Sequence, residues 1–143
     1  MLFQNREEAA KVLVQRLALY KKQSPIVLAI PNSALPMSKV IAEILNAPLD
    51  VILAKKIGAP GNPELAIGAL SESGETCLTE MGRGLSPEYI KKRVKAELKE
   101  LLRRRKGYSS IRPQVSLKDK TVIIIDDGIA TGATISAAIR SVT

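Results

Sequence analysis

Two adjacent carboxylates, Asp126 and Asp127, carry the most unusual local chemistry in the chain. They follow a β-branched apolar run, 121–125, which is typical of a buried strand, and they precede a turn of small and hydroxyl-bearing residues, 128–134. Like charges this close raise each other's pKa and call for a cation or for hydroxyl donors. A ligand that supplies hydroxyl groups, with a divalent metal nearby, therefore suits this pair.

The turn after the carboxylates has the complementary chemistry. Thr131 and Thr134 supply hydroxyls around Gly132, and the segment leads into a predicted helix over 135–142. Backbone N–H groups at the N-terminus of a helix are free to receive a phosphate. An acidic pair next to a phosphate-binding turn indicates a phosphorylated sugar as ligand. In the plainer alternative, which we favour less, the aspartates only cap the helix.

Alternating strand and helix patterns surround this segment and predict the fold class. Helical spacing of apolar residues predicts a helix over 6–22 and another over 37–46. Continuous apolar runs predict buried strands over 26–30, 50–54 and 121–125. This order is typical of parallel crossovers, so we predict an α/β fold with an open, mainly parallel sheet flanked by helices. Ligands in such sheets bind beyond the carboxyl ends of the strands.

The middle of the chain has weaker signals. Residues 55–64 are dense in Gly and Pro and are predicted to form a loop. Gly74 is predicted to supply the turn of a small hairpin insertion made of 65–71 and 76–80. We expect all of 1–143 to form a single domain.

A long basic helix is predicted next. Ser86 is its expected N-cap, and Gly107 is expected to end it at about Lys106. Nine residues from 91 to 106 are Lys or Arg, against two Glu, in a chain of net charge +8.

Two interpretations of this basic helix are possible. Clustered cations can bind nucleic acid. Against that, Arg93 with Glu97 and Glu100 with Arg104 are spaced for surface ion pairs. An apolar stripe facing inward is also predicted, made of Val94, Leu98, Leu101 and Leu102. We therefore favour a solvated helix and do not expect nucleic acid as a partner.

Composition excludes several other classes of protein. The 143 residues are 45% hydrophobic and 25% charged, as in an ordinary globular protein, and no apolar run approaches the length needed to cross a membrane. The N-terminus lacks the pattern of a secretory signal, so we expect a cytoplasmic protein. Cys77 is the single cysteine and there is no histidine, which excludes an internal disulfide and a Cys/His zinc site. Cys77 is predicted to be a packed hydrophobe.

The segment Val122 to Thr134, VIIIDDGIATGAT, resembles the phosphoribosyl-pyrophosphate signature of type I phosphoribosyltransferases over its whole length. The resemblance implies that Asp126 and Asp127 are the catalytic pair that takes the ribose 2- and 3-hydroxyls. It implies that the loop around the ribose 5-phosphate consists of Gly128, Ala130, Thr131, Gly132, Ala133 and Thr134. Gly128 stands where many relatives have an aliphatic residue. Receiver domains also have an acidic pair at a strand end, but theirs lies near the start of the chain and lacks the threonine-rich turn.

Two further loops contribute to the resemblance. Residues 56–69 resemble a stretch of a bacterial subgroup of phosphoribosyltransferase-domain proteins, which implies that Lys56 lies near the pyrophosphate; a solvated surface lysine is the equal alternative. Residues 31–36 occupy the place of a pyrophosphate loop, in which Asn32 replaces an arginine and Ser33 and Ala34 replace glycines. We therefore expect these replacements to weaken catalytic turnover more than they weaken binding of the ribose phosphate.

The resemblance implies a specific reaction. The chain would bind 5-phosphoribosyl-1-pyrophosphate and transfer the phosphoribosyl group to a nitrogen acceptor, a nucleobase, while Mg²⁺ shares the pyrophosphate charge. No particular residue is predicted as a metal ligand. The alternatives are a non-catalytic module that senses phosphoribosyl pyrophosphate and binds nucleic acid, and an inactive truncated family member. The resemblance also implies that the domain is incomplete at its C-terminus, since a complete sheet of this family would have at least one further strand after Thr143. A homodimer is expected from the family and from the unclosed sheet.

Overall fold

The computed structural model describes residues 3–31, 33–111, 114–129 and 131–143, and these form two compact units. The first unit contains Met1–Ile52 and Gln114–Gly128, and the second contains Leu53–Pro113 and Ile129–Thr143. In the part of the chain so described, no helix has the length and apolar character that crossing a membrane requires.

The described residues form five α-helices, one 3₁₀ helix and six strands. In chain order they are α1 (Arg6–Leu17), the 3₁₀ helix (Ala18–Gln23), β1 (Ile26–Ala29), α2 (Leu35–Leu45), β2 (Leu49–Val51), β3 (Ala54–Ala59), β4 (Asn62–Ser71), β5 (Thr76–Leu78), α3 (Glu80–Arg83), α4 (Pro87–Ile111), β6 (Val122–Ile125) and α5 (Ala133–Val142).

A parallel three-stranded sheet of order β2-β1-β6 organises the first unit, as the apolar runs predict. Val27 of the central strand lies opposite Leu49 on one side and Ile123 on the other. All four residues of β1 are buried, which explains why its sequence is apolar without alternation. The backbone N–H of Ile30 donates to the carbonyl of Ile125 over 3.0 Å, which continues the pairing to the carboxyl ends of both strands.

One apolar core joins this sheet to α1 and α2. Its buried members are Ala10, Val14, Val27, Ala34, Met37, Ile41, Ala42, Leu45, Ile123 and Ile125. The first helix begins where predicted, because Asn5 caps it by accepting the N–H of Glu8 over 2.8 Å. It ends earlier than predicted, since 18–23 tighten into the 3₁₀ helix. Because α1 and β6 both pack into this core, the start of α1 and the end of β6 are held in place within the same unit.

The second unit contains an antiparallel sheet of order β3-β4-β5. The predicted loop over 55–64 is wrong: β3 and β4 form a hairpin whose turn contains Gly61 at φ +74°. The Gly and Pro residues that suggested a loop instead supply this turn and an irregularity in register at Gly58, where an added Cβ would lie 2.7 Å from the Cα of Pro63. The predicted turn at Gly74 is confirmed, with φ +90° between β4 and β5.

The long helix α4 differs from its prediction in three details. It starts as expected, with Ser86 Oγ accepting the N–H of Tyr89 over 3.1 Å, but continues past Gly107 to Ile111. Glu100 pairs with Arg103 rather than with Arg104. Leu101 is fully buried, whereas Leu102 next to it is half exposed and lies outside the predicted stripe. Arg93 does pair with Glu97, whose carboxylate also binds Lys55.

Two contacts tie the helices of this unit to its sheet. Arg105 of α4 donates through Nε and Nη2 to the carboxylate of Glu72, and both side chains are largely buried. Helix α5 packs on the sheet through Ala133 and Ala137, which cluster with Ala69 and with Cys77. The prediction that Cys77 is a packed hydrophobe is confirmed.

The approach of α3 to β4 predicts a large effect of one methyl group. An added Cβ at Gly82 would lie 2.0 Å from the carbonyl oxygen of Ile67, so Gly82→Ala must displace backbone and is expected to destabilise the protein by about 1 to 3 kcal/mol. Gly107→Ala is the matched control, because it lies in the exposed interior of α4 and its Cβ would meet no described atom within 4 Å. This control should gain up to about 1 kcal/mol. Urea unfolding measures both, and a Gly82→Ala protein as stable as wild type would contradict the packing described.

Candidate functional site

The acidic pair lies directly beyond the carboxyl end of β6, as predicted. Asp126 is half-buried and Asp127 is exposed. The backbone N–H of Asp127 donates to Oδ1 of Asp126 over 2.8 Å, which orients the Asp126 carboxylate at the strand end. The strand itself is held by its pairing with β1, so both carboxylates extend from a rigid element.

Arg6 is the residue of this site that the sequence analysis missed. Its guanidinium Nη2 lies 3.0 Å from Oδ2 of Asp127, although the two residues are 121 positions apart in the chain. One signal could have indicated it: Arg6 stands in the first turn of α1, where the helix dipole favours acids and disfavours cations. A cation at that position suggests a partner elsewhere in the fold.

Arg6 also corrects the predicted electrostatics of the pair. The expectation that each carboxylate raises the pKa of the other holds only for Asp126, whose pKa is raised mainly by burial, with a smaller contribution from Asp127. The pKa of Asp127 is lowered, chiefly by its hydrogen bond to Arg6. The guanidinium of Arg6 therefore supplies part of the positive charge that the sequence predicts beside the acidic pair.

The residues of the predicted phosphate loop lie on both sides of the boundary between the two units. Gly128 is an exposed residue of the first unit, while 131–134 belong to the second. Ala130 lies outside the described residues.

The second part of the loop forms the start of α5. Gly132 precedes the helix with φ +82°, a left-handed conformation that glycine adopts without steric cost. Oγ1 of Thr131 accepts the N–H of Ala133 over 3.2 Å. Ala133 is the first helical residue and is buried against the sheet, and Thr134 is half-buried. This left-handed turn opens a ten-residue helix whose N-terminus can receive an anion.

The residues predicted for a pyrophosphate site have different surroundings. Asn32 lies outside the described residues. Ser33 is exposed in a turn, whereas Ala34 is fully buried in the core of the first unit. Lys56 lies on β3 in the second unit, exposed, with Nζ 3.2 Å from the carboxylate of Glu64. The role of these residues at a pyrophosphate stays a prediction.

Within the described ranges, no group of three or more His, Cys, Asp or Glu residues is placed to hold a metal ion.

The sequence and the fold of this chain are both similar to those of known proteins. The family model described as the phosphoribosyl transferase domain matches residues 1–142. Two Mycobacterium tuberculosis proteins, from strains CDC 1551 and H37Rv and named as candidate phosphoribosyl transferases, are each 38% identical over 140 residues, or 96% of this chain. The crystal structure of TT1426 from Thermus thermophilus matches 99% of this chain with a TM-score of 0.77 and 36% identity, and the match covers 69% of that chain.

These matches define the class of protein. The mixed α/β architecture, with its parallel sheet and acidic strand end, is that of a phosphoribosyltransferase fold. The chain belongs to the phosphoribosyl transferase domain family. It spans about a third of the length of the two mycobacterial relatives, 32% in each case.

The opposite pKa directions of the two aspartates predict an order of titration. A carboxyl whose pKa is lowered by folding stabilises the protein above its unfolded pKa, and this contribution is lost as pH falls through the folded value. We expect carboxyl ¹³C NMR to show Asp127 ionising at lower pH than Asp126. Arg6→Gln should raise the pKa of Asp127, whereas Arg16→Gln, an exposed arginine of the same helix, should leave it unchanged.

The accompanying change in stability should be small, because the ion pair is exposed and such pairs contribute at most about 1 kcal/mol. An Asp127 that titrates above Asp126, or that is insensitive to Arg6→Gln, would contradict the ion pair as described.

Proposed function

We propose that the chain binds 5-phosphoribosyl-1-pyrophosphate and transfers its phosphoribosyl group to a nitrogen acceptor, a nucleobase. The observation that carries this proposal is the sequence of features along 122–134: a paired strand, two carboxylates at its end, and a left-handed turn at a helix N-terminus. The family match supports transferase chemistry of this type.

The acidic pair is suited to a vicinal diol. Two carboxylates on adjacent residues accept hydrogen bonds from two adjacent hydroxyl groups, and a charge-assisted hydrogen bond of this kind is stronger than a neutral one. Asp126 is partly desolvated, which strengthens any hydrogen bond that its ionised form accepts. In this proposal Asp126 and Asp127 hold the ribose 2- and 3-hydroxyls and so fix the sugar.

The start of α5 is suited to the 5-phosphate. Its first N–H groups follow Gly132, and that of Ala133 already donates to Oγ1 of Thr131. The left-handed conformation of Gly132 lets the backbone turn toward an anion without a side chain in the way. The hydroxyls of Thr131 and Thr134 add two further donors beside those N–H groups. In this proposal the residues that bind the phosphate follow the residues that bind the diol closely in the sequence.

The proposed reaction is a displacement at the anomeric carbon. The bond from that carbon to the pyrophosphate oxygen breaks, and pyrophosphate leaves with the electron pair. The acceptor nitrogen forms the new bond and gives up its proton. Positive charge develops on the sugar in the transition state, so the protein's main task is to hold the sugar and its phosphate in position. No side chain needs to form a covalent bond.

Magnesium enters this proposal as part of the substrate. The described residues form no cluster of three or more metal-binding side chains, and Mg²⁺ commonly binds through substrate phosphates with few protein ligands. We therefore treat the magnesium complex of phosphoribosyl pyrophosphate as the species that binds. A cytoplasmic location and a homodimer are further parts of the proposal.

Titration calorimetry with this magnesium complex tests the site. The wild-type chain should bind, and the double variant Asp126→Asn, Asp127→Asn should lose binding, because neutral amides accept weaker hydrogen bonds from the diol than carboxylates do. Asp119→Asn is the control: Asp119 is an exposed carboxylate in a left-handed turn, a conformation that asparagine tolerates. A folded wild-type chain that does not bind would contradict the proposal.

A second titration separates the phosphate anchor from the diol site. Gly132→Ala strains the left-handed turn and is expected to weaken the binding of ribose 5-phosphate roughly tenfold, the size of one lost charge-assisted hydrogen bond. Gly74→Ala imposes comparable backbone strain at φ +90°, also without a close described neighbour, but in the β4-β5 turn. It should lower stability by a similar amount and leave affinity unchanged. Equal losses of affinity in both variants would argue against a phosphate at 131–134.

A further inference from the structure

Arg6 and Asp127 are held together by the frame of the first unit. Arg6 begins α1, which packs through Ala10 and Val14 into the apolar core. Asp127 follows β6, whose Ile123 and Ile125 belong to the same core. The 3.0 Å contact between guanidinium and carboxylate therefore joins two elements whose positions are set independently of the contact.

The first turn of α1 does not need Arg6 for its own stability. Asn5 caps the turn by accepting the N–H of Glu8, and the carboxylate of Glu8 accepts the N–H of Gln4 over 2.6 Å. Glu7 adds a second acid where the helix dipole favours one. A cation in this turn works against the dipole, so helix formation does not account for Arg6, whereas the ion pair does.

The contact leaves much of both groups available. A guanidinium has five N–H donors and a carboxylate has about four acceptor positions. The hydrogen bond found here joins one nitrogen, Nη2, to one oxygen, Oδ2. The side chains of Arg6 and Asp127 keep 57% and 31% of their surface exposed, so a ligand can reach the carboxylate while the ion pair persists.

We propose that Arg6 is a positioning residue of the diol site, which holds the Asp127 carboxylate in place and offsets one of the two negative charges that an anionic sugar phosphate must approach. This inference rests on the proposed function, because it assigns Arg6 a task at the same site. Without Arg6 the local charge of the site changes from about −1 to −2, which disfavours a phosphorylated ligand more than a neutral one.

The charge argument predicts how binding depends on the side chain at position 6. Arg6→Gln should weaken binding of the magnesium complex of phosphoribosyl pyrophosphate about tenfold, comparable to a shift of one pKa unit in a partner group. Arg6→Lys keeps the charge and should stay within about threefold of wild type, although it loses the planar fork of donors. Arg16→Gln removes the same charge from the same helix and should bind like wild type.

A double-mutant cycle tests whether Arg6 acts through Asp127. Calorimetry would compare wild type, Arg6→Gln, Asp127→Asn and the double variant, with circular dichroism to confirm folding. If Arg6 acts mainly through Asp127, Arg6→Gln should cost much less affinity in the Asp127→Asn background than in the wild-type chain, so the two losses are not additive. A direct contact of Arg6 with the ligand phosphates would instead give additive losses and would overturn the positioning role.

The outcomes also separate this inference from the proposed function. If wild type binds and Asp127→Asn weakens binding while Arg6→Gln binds normally, the inference fails and the proposed function stands. If wild type fails to bind, or if Asp127→Asn binds as wild type does, the proposed function itself fails. Arg6→Gln supports the inference only when it weakens binding, Arg6→Lys restores it and Arg16→Gln has no effect.

Discussion

Two carboxylates on consecutive residues at the end of a largely buried strand repel each other, and the site depends on how that repulsion is met. One carboxylate, Asp126, is half-buried and accepts the backbone N–H of Asp127. The other is exposed and binds Arg6. The two carboxylates therefore differ even without a ligand: the pKa of Asp126 is raised and that of Asp127 is lowered. The pairing of β6 with β1 and the common core of α1, α2 and the sheet keep this arrangement fixed.

The elements around the site could be predicted because local signals and burial agree there. Continuous apolar runs predicted β1 and β6 nearly to the residue, and the helical spacing of apolar residues predicted the start of α1. The hairpin of β3 and β4 could not be predicted in the same way. Gly61 and its neighbouring prolines indicate a turn, but they do so equally in a long loop and between two paired strands. Only the hydrogen-bond pairing of the flanking backbone distinguishes the two cases.

Side-chain partners were the other failure. Glu100 has two arginines within helical reach, and spacing alone does not distinguish Arg103 from Arg104. Arg6 and Asp127 are 121 residues apart, so no local pattern connects them. The turn before α5, by contrast, was predicted from its small and hydroxyl-bearing residues, although the left-handed conformation of Gly132 was not. Membership of the family indicates transferase chemistry, whereas the residue types of this chain do not specify a substrate.

The most direct test is to record ¹H–¹⁵N NMR spectra of the labelled wild-type chain during titration with the magnesium complex of phosphoribosyl pyrophosphate. Binding of the diol and the 5-phosphate at 126–134 should shift the amide signals of Asp127, Thr131, Gly132, Ala133 and Thr134 first and most strongly. Saturable shifts confined to other parts of the chain, with these amides unchanged, would contradict the assignment of the site.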